Sequence, residues 1–386
     1  MPRIAVVGGA LQGMECVLLC RKAGFKSLVI DRRVNAPALS IADDTLVSNP
    51  VTDPEAVLSA VEGCDAIIPA CENLDLLESL SSISERSGVP LLFDLRSYHT
   101  SCSKLESNEV MARAGIPIPQ PWPQCGYPVI VKPSSQSGSV EVTYADSEAA
   151  MKEGLRRIED LGDSPVIQEF VSGKSVSVEV VGNGKEYVPY VTTEVCLDRN
   201  YDCKRVVCDP GILSESDDER FRDIGKAIAS EIGLSALMDV EAILTKKGLR
   251  VLEIDARVPS QTPAAIEAAT GVNILERLYS SAVGKDFSCN PGKGSSIYCH
   301  LVFKDGVLRT CGEKQFSKVV SPSFGAIFGS DLSISDYSKG SREWRATLIF
   351  TGKDLESAQS RYDAAVRSII DECGASAYVD ETPEAF

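Results

Sequence analysis

Acidic residues at usable spacings are concentrated in residues 238 to 263, MDVEAILTKKGLRVLEIDARVPSQTP. Two β-patterned runs, Met238 to Leu244 and Arg250 to Asp255, flank the turn Thr245-Lys246-Lys247-Gly248, as a hairpin requires. Alternate side chains of a strand share a face, so Asp239 lies with Glu241 and Glu253 with Asp255. Pairing the runs would crowd three or four carboxylates into one patch, where they repel one another unless a cation sits among them. Hard oxygen ligands without His or Cys suit Mg²⁺. A solvated acidic hairpin face is the competing reading, and this stretch alone leaves both open.

Two further stretches offer charge and hydrogen-bonding chemistry. Tyr127 to Pro133, YPVIVKP, places Lys132 at the end of an apolar strand, directly before Ser134-Ser135-Gln136-Ser137-Gly138-Ser139. The N–H groups and hydroxyls of such a loop can cradle phosphate oxygens beside a fixed cation, although a plain hairpin loop has the same composition. Val166 to Val171 is a strand running into Ser172-Gly173-Lys174. Gln168, Glu169, Phe170 and Val171 could there present backbone groups and one amide to a flat base. Glu179 falls on the next strand, Ser175 to Val181.

The elements that must position these groups begin with RIAVV at residues 3 to 7, which runs into Gly8-Gly9-Ala10-Leu11-Gln12-Gly13 and a helix to Ala23. With the strand Leu28 to Asp31 this resembles a Rossmann opening with Asp31 on a ribose, but Ala10 stands where the second fingerprint glycine belongs. A helix announced by Thr52-Asp53-Pro54-Glu55, a strand Ala66 to Pro69, a helix to Ser87 and a strand Val89 to Phe93 complete a small parallel α/β domain. Ligands of such sheets sit beyond the carboxyl ends of the strands, where Gln12, Glu15, Glu72, Asn73 and Asp94 gather. Lys104 to Ala114 reads as a helix stopped by GIPIP, residues 196 to 211 as a polar loop, and Asp218 to Ile232 as an amphipathic helix. Ser296 to Phe303, Ala346 to Phe350 and a helix from Leu355 to Cys373 carry no chemical motif and complete the second lobe.

The chain has 386 residues and a net charge of −16, which argues against nucleic acid or an anionic membrane as a partner. Without a long apolar run or a leader pattern, a cytoplasmic protein is expected. The 13 cysteines form no C-x-x-C pair and read as free thiols. With only His99 and His300, a His-based triad or metal site has little support.

Taken in order, the small α/β domain, the lysine helix before GIPIP, YPVIVKP with its Ser/Gly loop, QEFVSG and LEIDAR resemble the ATP-grasp superfamily of carboxylate–amine ligases over residues 1 to 290. The resemblance implies an α/β chain: a Rossmann-like domain (residues 1–97), then a two-lobed ATP-grasp fold with a small lobe (98–174) and a large lobe with a C-terminal extension (175–386). It implies Lys104 and Lys132 on ATP phosphates, with Ser134, Ser135, Gly138 and Ser139 as the cradle, and Gln168 with the backbone from Glu169 to Val171 on adenine. It also implies Glu241, Glu253 and Asp255 on Mg²⁺, two ions in all, and Arg257 on the transferred phosphate. Asp255 stands where the superfamily usually has Asn, adding charge, and Ser175 stands where it often has a ribose-binding Glu.

GGALQGME, ACEN and DARVPSQTP are most similar to the ligase family of pyrrolysine biosynthesis. That similarity implies 3-methyl-D-ornithine and L-lysine as small-molecule substrates, joined through an acyl phosphate. By placement, Glu15, Glu72 and Asp94 suit ammonium groups, with Gln12, Asn73 and Glu179 beside them, and Ser260, Gln261 and Thr262 suit the reacting carboxylate. A ligase for another amino acid pair, an NAD-binding oxidoreductase resting on residues 4 to 31, and a non-catalytic nucleotide sensor are the rival readings. A homodimer is compatible with all of these.

Overall fold

The computed structural model describes residues 1–288 and 290–383. Strands β1 (Arg3–Val7), β2 (Lys26–Asp31), β3 (Asp44–Val47) and β4 (Ala66–Pro69) pair in parallel in the order β3-β2-β1-β4. Helix α1 (Leu11–Lys22) connects β1 to β2, α2 (Pro54–Val61) connects β3 to β4, and α3 (Leu74–Ser87) follows β4. A parallel sheet covered by helices needs near-continuous apolar strands, and Ile4 to Val7 and Ala66 to Ile68 are buried. The glycines of the first turn are explained by packing. A Cβ on Gly13 would lie 2.1 Å from the Gly8 carbonyl oxygen, and one on Gly8, whose φ is +114°, would lie 2.4 Å from that of Ala70.

The strand expected over Val89 to Phe93 does not form. Leu91 makes a single bridge to Ile67, because Pro90 has no N–H to donate and Asp94 turns the chain into helix α4 (Leu95–Ser101) by accepting from the N–H groups of Arg96 and Ser97. A boundary after residue 97 thus falls inside a helix. Helix α5 (Lys104–Arg113) leads to a three-stranded antiparallel sheet of β5 (Val129–Pro133), β6 (Thr143–Ala145) and β7 (Pro165–Glu169), covered by α6 (Glu148–Asp160). Its separate core is small: Val129, Val131, Ala145, Met151 and Ile158.

The remainder builds one large sheet. It comprises β8 (Lys174–Gly182), β9 (Tyr187–Pro189), β10 (Thr193–Leu197), β11 (Cys203–Cys208), β12 (Leu237–Thr245), β13 (Gly248–Asp255), β14 (Ser295–Lys304), β15 (Val307–Thr310), β16 (Ser323–Gly325), β17 (Leu332–Ser335), β18 (Glu343–Gly352) and β19 (Ala377–Val379). The main path runs β13-β12-β8-β10-β11-β14-β18-β17-β16. Helices α7 (Glu215–Ile232), α8 (Thr262–Thr270), α9 (Ile274–Ala282), α10 (Glu313–Phe316) and α11 (Leu355–Cys373) pack around it. Residues 196 to 211 are not one polar loop as expected: β10 and β11 pair antiparallel within the stretch, leaving residues 198–202 and 209–211 outside the strands. All twelve cysteines among the described residues are free, Cys289 lying outside them. No helix among the described residues is long and apolar enough to cross a membrane.

Candidate active site

The acidic hairpin forms, and a third strand joins it. β12 pairs antiparallel with β13 on one side and β8 on the other, which sets two rows of side chains across three strands. One row is Ser177, Glu241, Glu253; the next is Glu179, Asp239, Asp255. Burial in this crowd favours the neutral acids. Desolvation, reinforced by neighbouring carboxylates, pushes Asp239 and Glu241 well above the carboxylate range, and it carries Glu179 to about 7. Asp255 is raised by burial despite Arg257, whereas at Glu253 Lys104 and Lys132 outweigh burial and lower its pKa. Asp239 accepts a hydrogen bond from Ser177. Both carboxylate oxygens of the fully buried Glu179 lack a hydrogen-bond partner among the described residues, as does the Thr262 hydroxyl; Thr262 and Ser177 lie near enough to favour the charged form of Glu179 without closing a bond.

Glu241 and Glu253 of the first row face a cleft of about 170 Å³ between the small antiparallel sheet and β12–β13. Lys104, Lys132, Gly138, Ser139, Gln168, Glu169, Phe170, Val171, Ser175, Tyr201, Glu241 and Glu253 are among its lining. Lys104 Nζ lies 3.2 Å from Glu253 Oε2 and donates to the Gln136 carbonyl at 2.7 Å. Lys132 is buried, and desolvation lowers its pKa although Glu253 opposes the shift. Ser139 donates to the Tyr201 carbonyl at 2.7 Å, which ties the Ser/Gly loop to the 198–202 loop. Ser134 and Ser135 do not line the cleft as expected. The Ser134 hydroxyl accepts from the Leu105 N–H at the start of α5, and that of Ser135 donates to Asp163 at 2.6 Å.

Oxygen donors without nitrogen or sulfur, held in a cation-deficient cluster, suit a hard divalent ion, so Glu241, Glu253 and Asp255 fit Mg²⁺ by chemistry. Among the described residues no three acids, cysteines or histidines close on one ion position. Glu253 instead contacts Lys104, and Asp255 Oδ2 contacts Arg257 Nη2 at 3.1 Å.

Beyond β13 the chain crosses to the first sheet. Arg257 Nε lies 2.7 Å from Glu72 Oε1, and this cation holds the Glu72 carboxyl below its usual range. Gln12 Nε2 reaches Glu72 at 3.4 Å and the Val258 carbonyl at 3.3 Å. Ser260 donates to Glu313 at 2.6 Å. Gln261 adopts φ +70° and ψ −56°, a conformation that costs a non-glycine residue about 1–3 kcal/mol. Its N–H donates to Glu15 Oε2 at 2.8 Å, and its side-chain amide donates to the Cys203 carbonyl at 3.2 Å and bonds His300 Nε2 at 2.8 Å. Burial lowers the His300 pKa to about 3, so His300 is neutral and accepts from the amide, leaving Nδ1–H for Thr347.

Several residues expected to face substrate are engaged elsewhere. Asn73 caps α3 and Asp94 caps α4, because a helix start leaves N–H groups that a short polar side chain satisfies. Glu15 is 3 % exposed and accepts from Tyr298 as well as Gln261. Asp31 accepts the Gly9 N–H at 2.7 Å and pairs with Arg33, so it has an internal role where the dinucleotide reading needs a ribose contact. Glu313 and His300 were missed as neighbours of the site. Nothing local marks them, since they come from the motif-free C-terminal third.

A lysine-bearing antiparallel lobe set against an acid-lined sheet defines the class: residues 102–261 match the family model described as ATP-grasp domain. Two solved structures share the fold. The biotin carboxylase domain of Hydrogenobacter thermophilus 2-oxoglutarate carboxylase, crystallised with MgADP and bicarbonate, has a TM-score of 0.74 at 18% identity, covering 95% of this chain and 90% of that one. An ADP complex of N5-carboxyaminoimidazole ribonucleotide synthetase has a TM-score of 0.71 at 16% identity, with 95% and 96% covered. At sequence level, the 3-methyl-D-ornithine–L-lysine ligase of Methanosarcina mazei is 35% identical over 97% of each chain, and that of Methanosarcina acetivorans 34% identical over 97% of this chain and all of its own. The chain belongs to the 3-methyl-D-ornithine–L-lysine ligase family of ATP-grasp proteins.

Proposed function

We propose that the protein is an ATP-dependent ligase joining the carboxylate of 3-methyl-D-ornithine to the ε-amine of L-lysine. The observation that carries this reading is the double row of acids on β8, β12 and β13, set against Lys104 and Lys132 at the cleft, with Arg257 on Asp255 just past the end of β13. In the first step a substrate carboxylate oxygen bonds to the γ-phosphorus of ATP and the bond to ADP breaks. In the second the lysine nitrogen bonds to the acyl carbon, and phosphate and a proton leave. Neither step needs a protein nucleophile; positioning and electrostatics do the work.

Lys104 and Lys132 hold phosphate oxygens, Gly138 and Ser139 close over them, and Gln168 with the backbone of Glu169 to Val171 reads the base. Glu241, Glu253 and Asp255 would hold Mg²⁺, two ions by this reading, which would supply neutralisation of phosphoryl charge. Arg257 stabilises the transferred phosphoryl group. Buried and without hydrogen-bond partners among the described residues, Glu179 and the Thr262 hydroxyl are suited to a substrate ammonium, whereas Ser260, expected on the reacting carboxylate, donates its hydroxyl proton to Glu313. The acidic rows favour this reading over a nucleotide sensor, which has no need of them.

The test is incubation with ATP, Mg²⁺, L-lysine and 3-methyl-D-ornithine, following ADP and coupled product by mass. ADP and isopeptide should appear in equal amounts. ADP without isopeptide, or equal turnover with unrelated amino acids, would remove the substrate assignment. Glu253→Gln should lower turnover by roughly a hundredfold or more at unchanged thermal stability, since it removes a metal ligand.

A further inference from the structure

The residues that carry Arg257 directly follow β13 of the large sheet, yet four of their polar groups are held by the first 101 residues. The Ala256 N–H donates to the Ser101 hydroxyl at 3.0 Å, and the Arg257 guanidinium meets Glu72 at 2.7 Å. The Val258 carbonyl accepts from Gln12 at 3.3 Å, and the Gln261 N–H donates to Glu15 at 2.8 Å. The Glu15 contact fixes a residue whose φ of +70° would relax without a restraint.

We infer that the N-terminal layer braces the reaction centre, with Glu72 and Glu15 as positioning residues: Glu72 aims Arg257, and Glu15 locks the turn after it. This rests on the reading of Arg257 as the group that stabilises the transferred phosphoryl. The geometry also restricts what these acids can do for substrate. Glu15 is buried with both oxygens engaged, and Glu72 already neutralises an arginine, so neither offers a free carboxylate to an ammonium group. Of the two carboxylates on the guanidinium, Asp255 is a proposed metal ligand, so Glu72 is the partner left to keep its orientation through turnover. Misplacement by about 1 Å at such a site costs on the order of a hundredfold in rate.

The experiment compares Glu72→Gln, Glu15→Ala, Glu15→Gln and Arg257→Ala in the full chain. The readouts are kcat, KM for each amino acid, and MgADP affinity by calorimetry. Glu72→Gln should lower kcat by about tenfold or more while KM and MgADP affinity stay within about twofold. Glu15→Ala should lose kcat likewise, and Glu15→Gln, whose carbonyl can still accept from Gln261, should restore most of it. Unchanged kcat in Glu72→Gln beside an inactive Arg257→Ala would overturn the brace and leave the ligase reading standing. A raised KM for one amino acid at unchanged kcat would make Glu72 a substrate contact and overturn the brace too. Full turnover in Arg257→Ala would overturn the reading of Arg257, and the brace with it. If Glu15→Ala fails to fold, the partly exposed Glu72 variant decides the matter.

Discussion

Glu15 is a carboxyl that folding removes from water completely, and desolvation pushes it up to about 8 despite hydrogen bonds from Tyr298 and Gln261; Glu313 nearby adds to the rise. An acid whose folded pKa exceeds its unfolded value, near 4.5, binds its proton more tightly in the native state. Its contribution to stability is therefore complete below about pH 4.5 and lost as pH rises through 8, at up to about 1.4 kcal/mol per pH unit. Urea titrations between pH 5 and 8 should show this decline, to which Glu179, Asp239 and Glu241 add, and Glu15→Gln should make it shallower by one acid's share. A slope unchanged in the variant would place the titration on another group. The residue type and its place near a sheet edge were legible from the sequence, but its partner was not. Gln261 lies 246 positions away, and no local pattern reports which N–H a buried acid will meet.

Periodicity served well wherever apolar spacing fixed an element. The β12–β13 hairpin, α7 and α11 all follow from it, and with the hairpin came the acidic face. It failed at β11, where Lys204 and Arg205 read as part of a polar loop. Their charges are in fact matched by the chain's far end: Lys204 Nζ lies 2.5 Å from Asp380, Arg205 lies 3.1 Å from it, and Thr310 donates to it at 2.8 Å. This clamp holds the strand that leads out of the 198–202 loop, and Tyr201 of that loop lines the cleft. Lys204 has a side chain only 4% exposed, so Asp380→Ala leaves a buried ammonium without a counter-charge, held by the Glu381 carbonyl at 2.6 Å. Breaking a fully buried pair costs about 3–5 kcal/mol, and the loss here is smaller because Asp380 is 33% exposed. Asp380→Ala should therefore lower thermal stability clearly and weaken MgADP binding severalfold, measured by calorimetry. Unaltered nucleotide affinity in a destabilised variant would confine the clamp to a folding role.

At the scale of the whole molecule, α1 of the first layer packs on α8 and α9, and one apolar cluster runs from Ile4 through Ala265 and Ile274 to Ile349. The N-terminal layer and the large sheet therefore share a core and should open together, as a rigid brace requires. The small antiparallel sheet is different. Its core holds five buried residues, and α6 carries the charged and exposed face of Arg156, Arg157 and Glu153. Regions with few buried apolar contacts open at low free energy, and a lobe that closes over a ligand is drawn from that end of the range. Hydrogen exchange should find β5, β6, β7 and α6 exchanging faster than β14 and β18 in the free protein. MgADP should slow the small sheet selectively, since Lys132, Gly138 and Gln168 would then be tied through the nucleotide to β12 and β13. Equal protection of the two sheets without nucleotide would show instead that the cleft is fixed before ligand arrives, and access would then depend on the 198–202 loop alone.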